Sequence, residues 1–353
     1  MLNNKKTIVI VIPTLQGNGA ERVMLYLATD LQRKGHDIHI IIFKNIIELE
    51  YDGNISIHFF KKHYRWIPRS IRGAIVAPML DKFIVHHCGK KPDLVLSNLI
   101  PIERILAYSQ LNVYMVIQNT MSKRIIAHRD KLSDIVKPYT KKPTICCSKG
   151  VMDDFVSLFS KYKVKESRYI YNPVDAEFVK RMGDAEPPPL EGDYIVHVAK
   201  FKIAKRHDIL IKAYHKSGVN EKLVLLGEGL FKEKTQALVK KLKLEDKVMF
   251  VGFKTNPYSY VKNAKLSVLS SDFEGLPTVI LESLILGTPV ISTDCESGPR
   301  EMLPKKNLTP VNDIDALADQ IKNAVNNIND YRSDLKEDFL LENITKKYLE
   351  LAN

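Results

Sequence analysis

Short apolar runs alternate with amphipathic stretches along most of this chain. Apolar runs bounded by polar or glycine-rich sequence are typical of buried parallel strands, whereas apolar positions three or four residues apart indicate helices. The pattern predicts strands at 7–13, 37–43, 93–97, 113–117, 144–147, 194–199, 223–226, 248–251, 266–269 and 289–293. It predicts helices at 20–34, 101–111, 232–242, 278–286 and 314–326, and one more that starts near 207. This alternation favours an α/β fold with parallel sheets.

The length of the chain predicts two domains. A chain of 353 residues accommodates two domains of about 150–200 residues each. The proline run at 186–189 (EPPP) cannot continue a helix and marks a boundary. We therefore predict an N-terminal domain at 1–175, a linker at 176–192, a C-terminal domain at 193–336 and a terminal helical segment at 337–353.

Cysteine spacing and the lengths of the apolar runs indicate the cellular compartment of the protein. Cys88, Cys146, Cys147 and Cys295 have no metal-binding or redox spacing, which is typical of a reduced cytosolic protein. No apolar run reaches membrane-spanning length, and the apolar start at 7–15 lacks a signal-peptide cleavage pattern. We therefore expect a cytoplasmic protein that is soluble or peripheral on a membrane.

The positive charge is concentrated in the first half of the chain. Residues 1–172 contain 27 Lys and Arg against 14 Asp and Glu, a net charge of +13, and the remainder contributes −1 to the total of +12. Such an excess indicates an anionic partner, namely a membrane surface, a phosphorylated lipid or nucleic acid. Ordinary solvation of a basic surface is the alternative.

Residues 59–87 show how this basic excess is arranged. Basic and apolar or aromatic side chains are mixed there: Lys61, Lys62, Arg65, Arg69 and Arg72 with Phe59, Phe60, Trp66 and Ile67. The mixture suits a surface that rests on anionic lipid headgroups. A packed helix with a solvated basic face explains it equally well.

The segment 266–293 has features of a ligand-binding site. Its predicted strand, polar loop, helix and strand form one βαβ unit, and such units place ligands at the carboxyl ends of their strands. Free N–H groups at the helix N-terminus attract phosphate. Glu274 in the loop and Glu282 in the helix fit that site only if they bind hydroxyl groups. A nucleotide sugar carries both a diphosphate and hydroxyl groups, whereas two surface glutamates in a structural loop are the alternative.

These residues carry a resemblance to a known family. The string FEGLPTVILE, in which seven residues separate Glu274 from Glu282, resembles the paired-glutamate motif of retaining glycosyltransferases of family 4. GNGAERV at 17–23, SKGVMDDF at 148–155 and NPVD at 172–175 are similar to further segments of that family. The resemblance implies the GT-B fold, in which two facing Rossmann-like domains with parallel sheets enclose an interdomain cleft. It also implies that the terminal helix crosses back onto the N-terminal domain.

The resemblance also implies roles for residues of the donor site. The loop residues Phe273, Gly275 and Leu276 would bind the donor, and Gly17 and Gly19 would face it. Glu274 would hold the donor sugar, and Glu282 would bind the ribose hydroxyls.

Two lysines replace an arginine–lysine pair of the family. Lys200 stands where the family usually has the arginine that grips the diphosphate, and Lys205 matches the lysine. Lysine lacks the bidentate fork of arginine, and the adjacent Arg206 is available to compensate. Lys200, Lys205 and Glu274 are the predicted catalytic residues.

Gln118 and Asn119 lie where the family often has a histidine followed by Asn or Asp, on the side of the acceptor and the donor sugar. A glutamine can hydrogen-bond a hydroxyl group but cannot act as a base. The resemblance implies retention of anomeric configuration. Because no residue is placed as a covalent nucleophile, we expect a front-face reaction, in which the leaving diphosphate oxygen takes the proton of the acceptor. Because no Asp-x-Asp motif ends a predicted strand, we expect no divalent metal and no other cofactor.

The predicted activity is that of a retaining, metal-independent hexosyltransferase of bacterial surface-polysaccharide synthesis. Its donor would be a nucleotide sugar, UDP being the commonest base in the family. Its acceptor would be a lipid-linked glycan of lipopolysaccharide, O-antigen or capsule, at an anionic inner-membrane surface and without nucleic acid. A GT-B epimerase or hydrolase that needs no acceptor is the first alternative. The second alternative is a nucleic-acid-binding protein that uses the basic half of the chain. It predicts salt-dependent binding to oligonucleotides.

Overall fold

The computed structural model divides the chain into two compact units, Met1–Pro173 with Asp338–Asn353 (unit 1) and Val174–Glu337 (unit 2). The structure describes residues 5–17, 19–51, 53–61, 64, 66–128 and 131–353, with the backbone alone at 124, 127 and 128. Lys62 and Arg65 of the predicted basic segment lie outside the described residues, as does Asn18 of the glycine-rich string.

Unit 1 is built on a seven-stranded parallel sheet in the order β3-β2-β1-β4-β5-β6-β7. Its strands are β1 (Thr7–Ile12), β2 (Asp37–Ile42), β3 (Ser56–Phe59), β4 (Leu94–Asn98), β5 (Val113–Ile117), β6 (Thr144–Cys146) and β7 (Ser167–Tyr169). The helices between them are α1 (Gly19–Arg33), α2 (Arg69–Cys88), α3 (Ile100–Leu106), α4 (Met121–His128), α5 (Leu132–Ile135) and α6 (Lys149–Leu158). Central β1 is buried on both faces, and its Ile8 pairs with Ile38 of β2 and Leu94 of β4.

Unit 2 has a six-stranded parallel sheet in the order β10-β9-β8-β11-β12-β13. Its strands are β8 (Tyr194–Val198), β9 (Lys222–Leu226), β10 (Val248–Gly252), β11 (Leu266–Leu269), β12 (Val290–Thr293) and β13 (Leu308–Thr309). Its helices are α7 (Ala176–Asp184), α8 (His207–Ser217), α9 (Lys232–Lys241), α10 (Tyr258–Lys262), α11 (Thr278–Ile285), α12 (Pro299–Met302) and α13 (Ile314–Asn326). The chain ends in α14 (Leu341–Glu350).

The terminal helix α14 belongs to unit 1. Ile344 and Tyr348 are fully buried in the same apolar cluster as Leu27 of α1. The Thr345 hydroxyl donates a hydrogen bond to Asp30 in α1 at 2.6 Å. Burial of this kind attaches a C-terminal segment to a sheet formed by residues far away in the sequence.

The predicted linker at 176–192 is corrected by the structure. Residues 176–184 form α7, which packs on α10 and α11 and is part of unit 2. Asp175 caps this helix by accepting a hydrogen bond from the Phe178 amide at 2.9 Å. The Asn256 side chain donates to the Met182 carbonyl at 3.0 Å. The proline run therefore follows a docked helix and does not separate the two units.

Three short strands were not predicted, and all lie at or next to an edge of a sheet. β3 and β7 close the two edges of the unit 1 sheet, and β13 closes one edge in unit 2. β3 and β7 are partly exposed, because an edge strand is covered less than a central one. Without a continuous apolar run, their sequences give no strand signal.

The helices of the described part of the chain also bear on membrane topology. None of them combines the length and the apolarity that are needed to cross a bilayer.

Candidate active site

Each sheet has one position where the strand order reverses. In unit 2 this position is between β8 and β11, and in unit 1 it is between β1 and β4. Open parallel sheets bind ligands in the crevice outside the carboxyl ends of such strand pairs, because the connecting loops diverge there. The predicted site residues of unit 2 follow β8 and β11, whereas those of unit 1 follow β1 and β5.

In unit 2 the loops after β8 and β11 are joined by an ion pair. The Lys205 ammonium donates a hydrogen bond to Glu274 Oε1 at 2.5 Å, although 68 residues separate the two in sequence. The side chains are 24% and 9% exposed, respectively. The structure thus brings together two of the three predicted catalytic residues, in surroundings where charges interact more strongly than in water.

The loop that carries Glu274 is held by two buried hydroxyl groups. The Ser271 hydroxyl donates to Glu274 Oε1 at 2.6 Å, and the Ser297 hydroxyl donates to the Glu274 carbonyl at 2.7 Å. Gly298 has φ +87°, and a Cβ atom there would lie 2.8 Å from the Gly275 carbonyl oxygen. The conformation of the 273–276 loop therefore depends on a serine and a glycine that come after β12.

The loop after β8 carries three lysines, Lys200, Lys202 and Lys205. Partial burial, with repulsion from the other two ammonium groups, lowers the pKa of Lys202 below its usual value. Like charges that are held together in this way favour the binding of an anion. Sequence reasoning missed Lys202, and three lysines within six residues were the signal that could have found it.

Arg206, which was considered as a substitute for the missing arginine, is held by several other side chains. Its guanidinium donates to Asp272 at 2.9 and 3.1 Å, to Asp208 at 3.0 and 3.1 Å, and also to Asn312. The residue adopts a left-handed conformation, φ +48°, between a 3₁₀ turn and α8. Because the N–H groups of its guanidinium already donate to these side chains, this arginine connects the start of α8 to the loop after β11.

Two histidines lie close enough to Lys205 that burial and, to a smaller extent, its charge lower their pKa values. His197 of β8 and His207 of α8 meet edge to face with ring centroids 4.8 Å apart, and His207 stacks on Phe201 at 4.1 Å. Burial lowers the pKa of His197 to about 4 and that of His207 to about 2. Both imidazoles are therefore neutral near pH 7, and they add no positive charge beside the lysines.

The remaining donor-site residues of unit 2 lie in the same βαβ unit. Phe273, Gly275 and Leu276 belong to the loop between β11 and α11, and Glu282 is buried one turn or more inside α11. Pro277 immediately precedes α11, where a missing N–H costs no helical hydrogen bond.

In unit 1 the glycine-rich loop follows β1. Gly17 has φ +83°, and Gly19 is the first residue of α1. The Thr14 hydroxyl bonds to the carboxylate of Glu21, which is buried in the first turn of α1. The glutamate of the GNGAERV string thus holds the loop that contains Gly17.

Gln118 follows β5 and contacts the end of β4. Its side-chain amide nitrogen donates to Asn98 Oδ1 at 3.3 Å. Among the described residues, the Asn98 amide nitrogen and the Gln118 amide oxygen are buried and have no partner. Leu99, which follows Asn98 in the sequence, has φ +73°, a strained backbone angle for a leucine. Unsatisfied amides beside a strained backbone indicate a binding site, and sequence reasoning missed Asn98.

The Asn119 side chain hydrogen-bonds the residue that follows it. Its side-chain oxygen accepts hydrogen bonds from the Thr120 amide at 2.8 Å and from the Thr120 hydroxyl at 3.2 Å. The residue is exposed and shapes the turn before α4.

The comparisons with known proteins identify the family. The profile of Glycosyltransferase Family 4 matches residues 17–178, and that of Glycosyl transferases group 1 matches residues 181–338. The N-acetylgalactosamine-N,N'-diacetylbacillosaminyl-diphospho-undecaprenol 4-alpha-N-acetylgalactosaminyltransferase of Campylobacter jejuni is 30% identical over 304 residues, 83% of this chain and 82% of the relative. The chain belongs to glycosyltransferase family 4. The family prediction is thereby confirmed.

Other family 4 relatives match over shorter stretches. The lipopolysaccharide 1,6-galactosyltransferase of Escherichia coli K12 is 34% identical over 142 residues, which is 38% of this chain and 38% of that enzyme. This glycosyltransferase is thus similar to enzymes that build bacterial surface glycans.

Solved structures confirm the fold of this family 4 glycosyltransferase. A glycosyltransferase from Rickettsia africae has a TM-score of 0.77 at 17% identity and covers 99% of this chain and 98% of its own. Anabaena HepE in complex with UDP and glucose has a TM-score of 0.76 at 15% identity, with 98% of both chains covered. The two α/β units with parallel sheets therefore have the GT-B fold class that the sequence predicted.

The side chains that commonly bind metal ions are scattered through the described part of the chain. Among the described residues, no three His, Cys, Asp or Glu side chains are grouped so that they could hold a metal ion.

Proposed function

We propose that this family 4 glycosyltransferase transfers a hexose from a UDP-sugar to a hydroxyl group of a lipid-linked glycan, with retention of anomeric configuration and without a metal ion. The product would serve the synthesis of lipopolysaccharide, O-antigen or capsule at the cytoplasmic face of the inner membrane.

One observation carries the proposal: Lys205, one of three lysines in the loop after β8, pairs with the Glu274 carboxylate at the carboxyl ends of β8 and β11. Three ammonium groups in one short loop favour a diphosphate, which carries the opposite charge. A carboxylate at their edge would repel phosphate but can accept hydrogen bonds from sugar hydroxyls. The combination suits a ligand in which a diphosphate is linked to a sugar.

The donor half of the reaction is assigned to unit 2. Lys200 and Lys205 bind the diphosphate and stabilise the negative charge that develops as the bond between the anomeric carbon and the phosphate oxygen breaks. Lys205 exchanges its bond to Glu274 for a bond to phosphate, which frees Glu274 Oε1 for a sugar hydroxyl. Glu282 binds the ribose hydroxyls.

The acceptor hydroxyl attacks on the face that the diphosphate leaves. Its oxygen bonds to the anomeric carbon, and its proton passes to the departing diphosphate oxygen, so no protein base is required. Gln118, oriented by Asn98, hydrogen-bonds a sugar hydroxyl and does not accept the proton. Attack and departure on one face retain the anomeric configuration.

The acceptor class rests on the relatives. The name of the Campylobacter jejuni relative describes an acceptor built on diphospho-undecaprenol, and the Escherichia coli relative acts on lipopolysaccharide. We extend this class, a hydroxyl of a lipid-linked glycan, to the present chain.

Nucleotide binding is the first test. The full chain is heated with UDP, GDP, ADP, CMP and a set of UDP-sugars, each with and without a chelator. We expect a rise in Tm with UDP and one UDP-sugar that the chelator does not change, since the lysines supply the charge. The proposal is overturned if no nucleoside diphosphate raises the Tm, or if the rise disappears with the chelator.

Matched lysine variants test the site. Lys205→Ala should lower kcat about 10²–10³-fold, because one group that stabilises the leaving diphosphate is lost. Lys216→Ala removes an exposed lysine of α8 that pairs with Asp315, and it should leave kcat unchanged. UDP release is measured with and without the glycan acceptor, and NMR of the product reports the anomeric configuration. Equal release without acceptor would favour a hydrolase, and unchanged kcat in Lys205→Ala would rule out the assigned role.

A further inference from the structure

Helix α2 of unit 1 has an inner face that is tightly packed. Val76, Leu80 and Ile84 are fully buried on that face. Gly73 lies there as well, and a Cβ atom on it would be 2.5 Å from the carbonyl oxygen of Arg104 in α3. Because the two helices approach this closely, α2 cannot rotate to bury its other side.

The outer side of α2 is nevertheless apolar. Ile71, Ile75 and Met79 follow at intervals of four residues, so they form one stripe along the helix, and they are 49%, 45% and 40% exposed. Trp66, the single tryptophan of the chain, precedes the helix and is 79% exposed. We call these four residues the α2 docking face. An exposed group of large apolar side chains indicates a site of interaction.

The start of the docking face is held in place. The Arg72 guanidinium donates to the Ile67 carbonyl from Nε at 3.1 Å and from Nη2 at 2.7 Å. Ile67 itself is buried. The chain next to Trp66 is thus fastened to the first turns of α2, and the indole is presented by a fixed backbone.

The exposed Lys, Arg, Asp and Glu side chains described between residues 59 and 88 are all basic. Lys61, Arg69 and Lys82 are exposed in this segment. Asp81 is the single acidic residue in the sequence of α2, and it accepts a hydrogen bond from the Ser109 hydroxyl at 2.6 Å, towards the chain that follows α3. The described segment therefore presents cations beside apolar side chains, and its one helical carboxylate is engaged elsewhere.

We propose that the α2 docking face places unit 1 on an anionic lipid bilayer. Tryptophan prefers the headgroup level of a membrane, and an apolar stripe enters the boundary of the acyl chains. Lysine and arginine beside it bind anionic headgroups. A second copy of the chain does not fit, because a symmetric contact would bring the same cations together. The inference deepens the proposed function, since a lipid-linked acceptor lies at such a surface.

The test uses the full chain and its own fluorophore. Vesicles of phosphatidylglycerol and of phosphatidylcholine are titrated into the protein, and Trp66 emission and co-sedimentation are recorded. We expect a blue shift and sedimentation with phosphatidylglycerol, both weakened by high salt because screening reduces the attraction of the headgroups. Equal binding to both lipids, or no binding to phosphatidylglycerol, overturns the proposal.

Variants localise the effect. Ile75→Glu with Met79→Glu should weaken partitioning by at least about tenfold, because carboxylates replace two exposed apolar side chains that would enter the bilayer. Val156→Glu introduces one carboxylate, as each of these two substitutions does, at an exposed apolar position of α6, and it should bind like the wild type. Arg69→Gln and Lys82→Gln should each weaken binding about fivefold.

Two controls separate the possible failures. The rise in Tm with a UDP-sugar should be the same in Ile75→Glu with Met79→Glu as in the wild type, so loss of vesicle binding alone leaves the proposed function intact. Light scattering of the free protein reports self-association. A dimer that dissociates in this double variant would identify a second copy as the occupant and would overturn the membrane assignment.

Discussion

Gln118 stands where family 4 often has a histidine, and the structure shows how its amide is oriented. Asn98 accepts the hydrogen bond of the Gln118 amide nitrogen at 3.3 Å and is itself fully buried. Asn98 is therefore a positioning residue that acts through Gln118.

We expect Asn98→Ala to raise the acceptor KM about fivefold, since the loss of one hydrogen bond of roughly 1 kcal/mol leaves the Gln118 amide free to rotate. The UDP-sugar shift in Tm should not change. If Asn98 acts through Gln118, the double variant with Gln118→Ala should be no worse than Gln118→Ala alone. Additive losses in acceptor kinetics would show that Asn98 contacts the acceptor independently.

The residue types of the site were predictable from the sequence, but their partners were not. Lys205 and Glu274 were each predicted from local strings, and their contact at 2.5 Å depends on the pairing of β8 with β11. Arg206 has the right charge for a phosphate, yet Asp272 and Asn312 from other segments, together with the neighbouring Asp208, already contact its guanidinium. Charge and position in a string could not reveal that competition.

At the scale of elements, the 273–276 loop depends on a glycine from a different loop. Gly298 has φ +87°, and an added Cβ would be 2.6 Å from Pro277 and 2.8 Å from the Gly275 carbonyl oxygen. Both contacts lie at the start of α11, next to Glu274.

Gly298→Ala should therefore displace the loop as well as strain the backbone. We expect a loss of about 1–3 kcal/mol in stability together with at least about tenfold weaker UDP-sugar binding. Gly218→Ala is the matched control, because Gly218 has φ +65° at the end of α8 with no atom within 4 Å of an added Cβ. It should lose stability without loss of binding, as measured by chemical unfolding and titration calorimetry. Equal binding losses in both variants would show that strain alone explains the effect.

Central elements were predicted well and peripheral ones poorly. The ten predicted strands all exist, because each is an apolar run that is bounded by turn residues. The edge strands β3 and β7 have polar, partly exposed sequences, and helix α7 was taken for a linker because a proline run follows it. Its assignment to unit 2 depends on contacts with α10 and α11 that no local pattern encodes.

At the scale of the whole molecule, the buried histidines of unit 2 couple folding to pH. In the unfolded chain both titrate near their ordinary pKa of 6.5. In the folded unit, burial lowers the pKa of His197 to about 4 and that of His207 to about 2. As the pH falls below 6.5, the unfolded state binds protons that the native state does not. The stability that the two neutral histidines contribute is therefore fully present above pH 6.5 and is lost progressively as the pH falls towards 4.

Each histidine should contribute a loss of about 3 kcal/mol between pH 6.5 and pH 4, at about 1.4 kcal/mol per pH unit. We expect His207→Phe to reduce the pH dependence of the unfolding free energy, because the ring still stacks on Phe201 and no longer titrates. His215→Gln, an exposed position of the same helix, should retain the wild-type dependence. Identical pH profiles for all three proteins would contradict the assignment.

The sequence by itself determined the central strands, the fold class and the family, because apolar periodicity and a ligand-binding string are local properties of the chain. Its charge asymmetry indicated an anionic partner for the first half. Only the tertiary structure decided which charges meet, which loop Gly298 supports, that α7 belongs to unit 2 and which side of α2 remains exposed. Each of these depends on the distance between segments far apart in sequence, and that distance is set by strand order and packing.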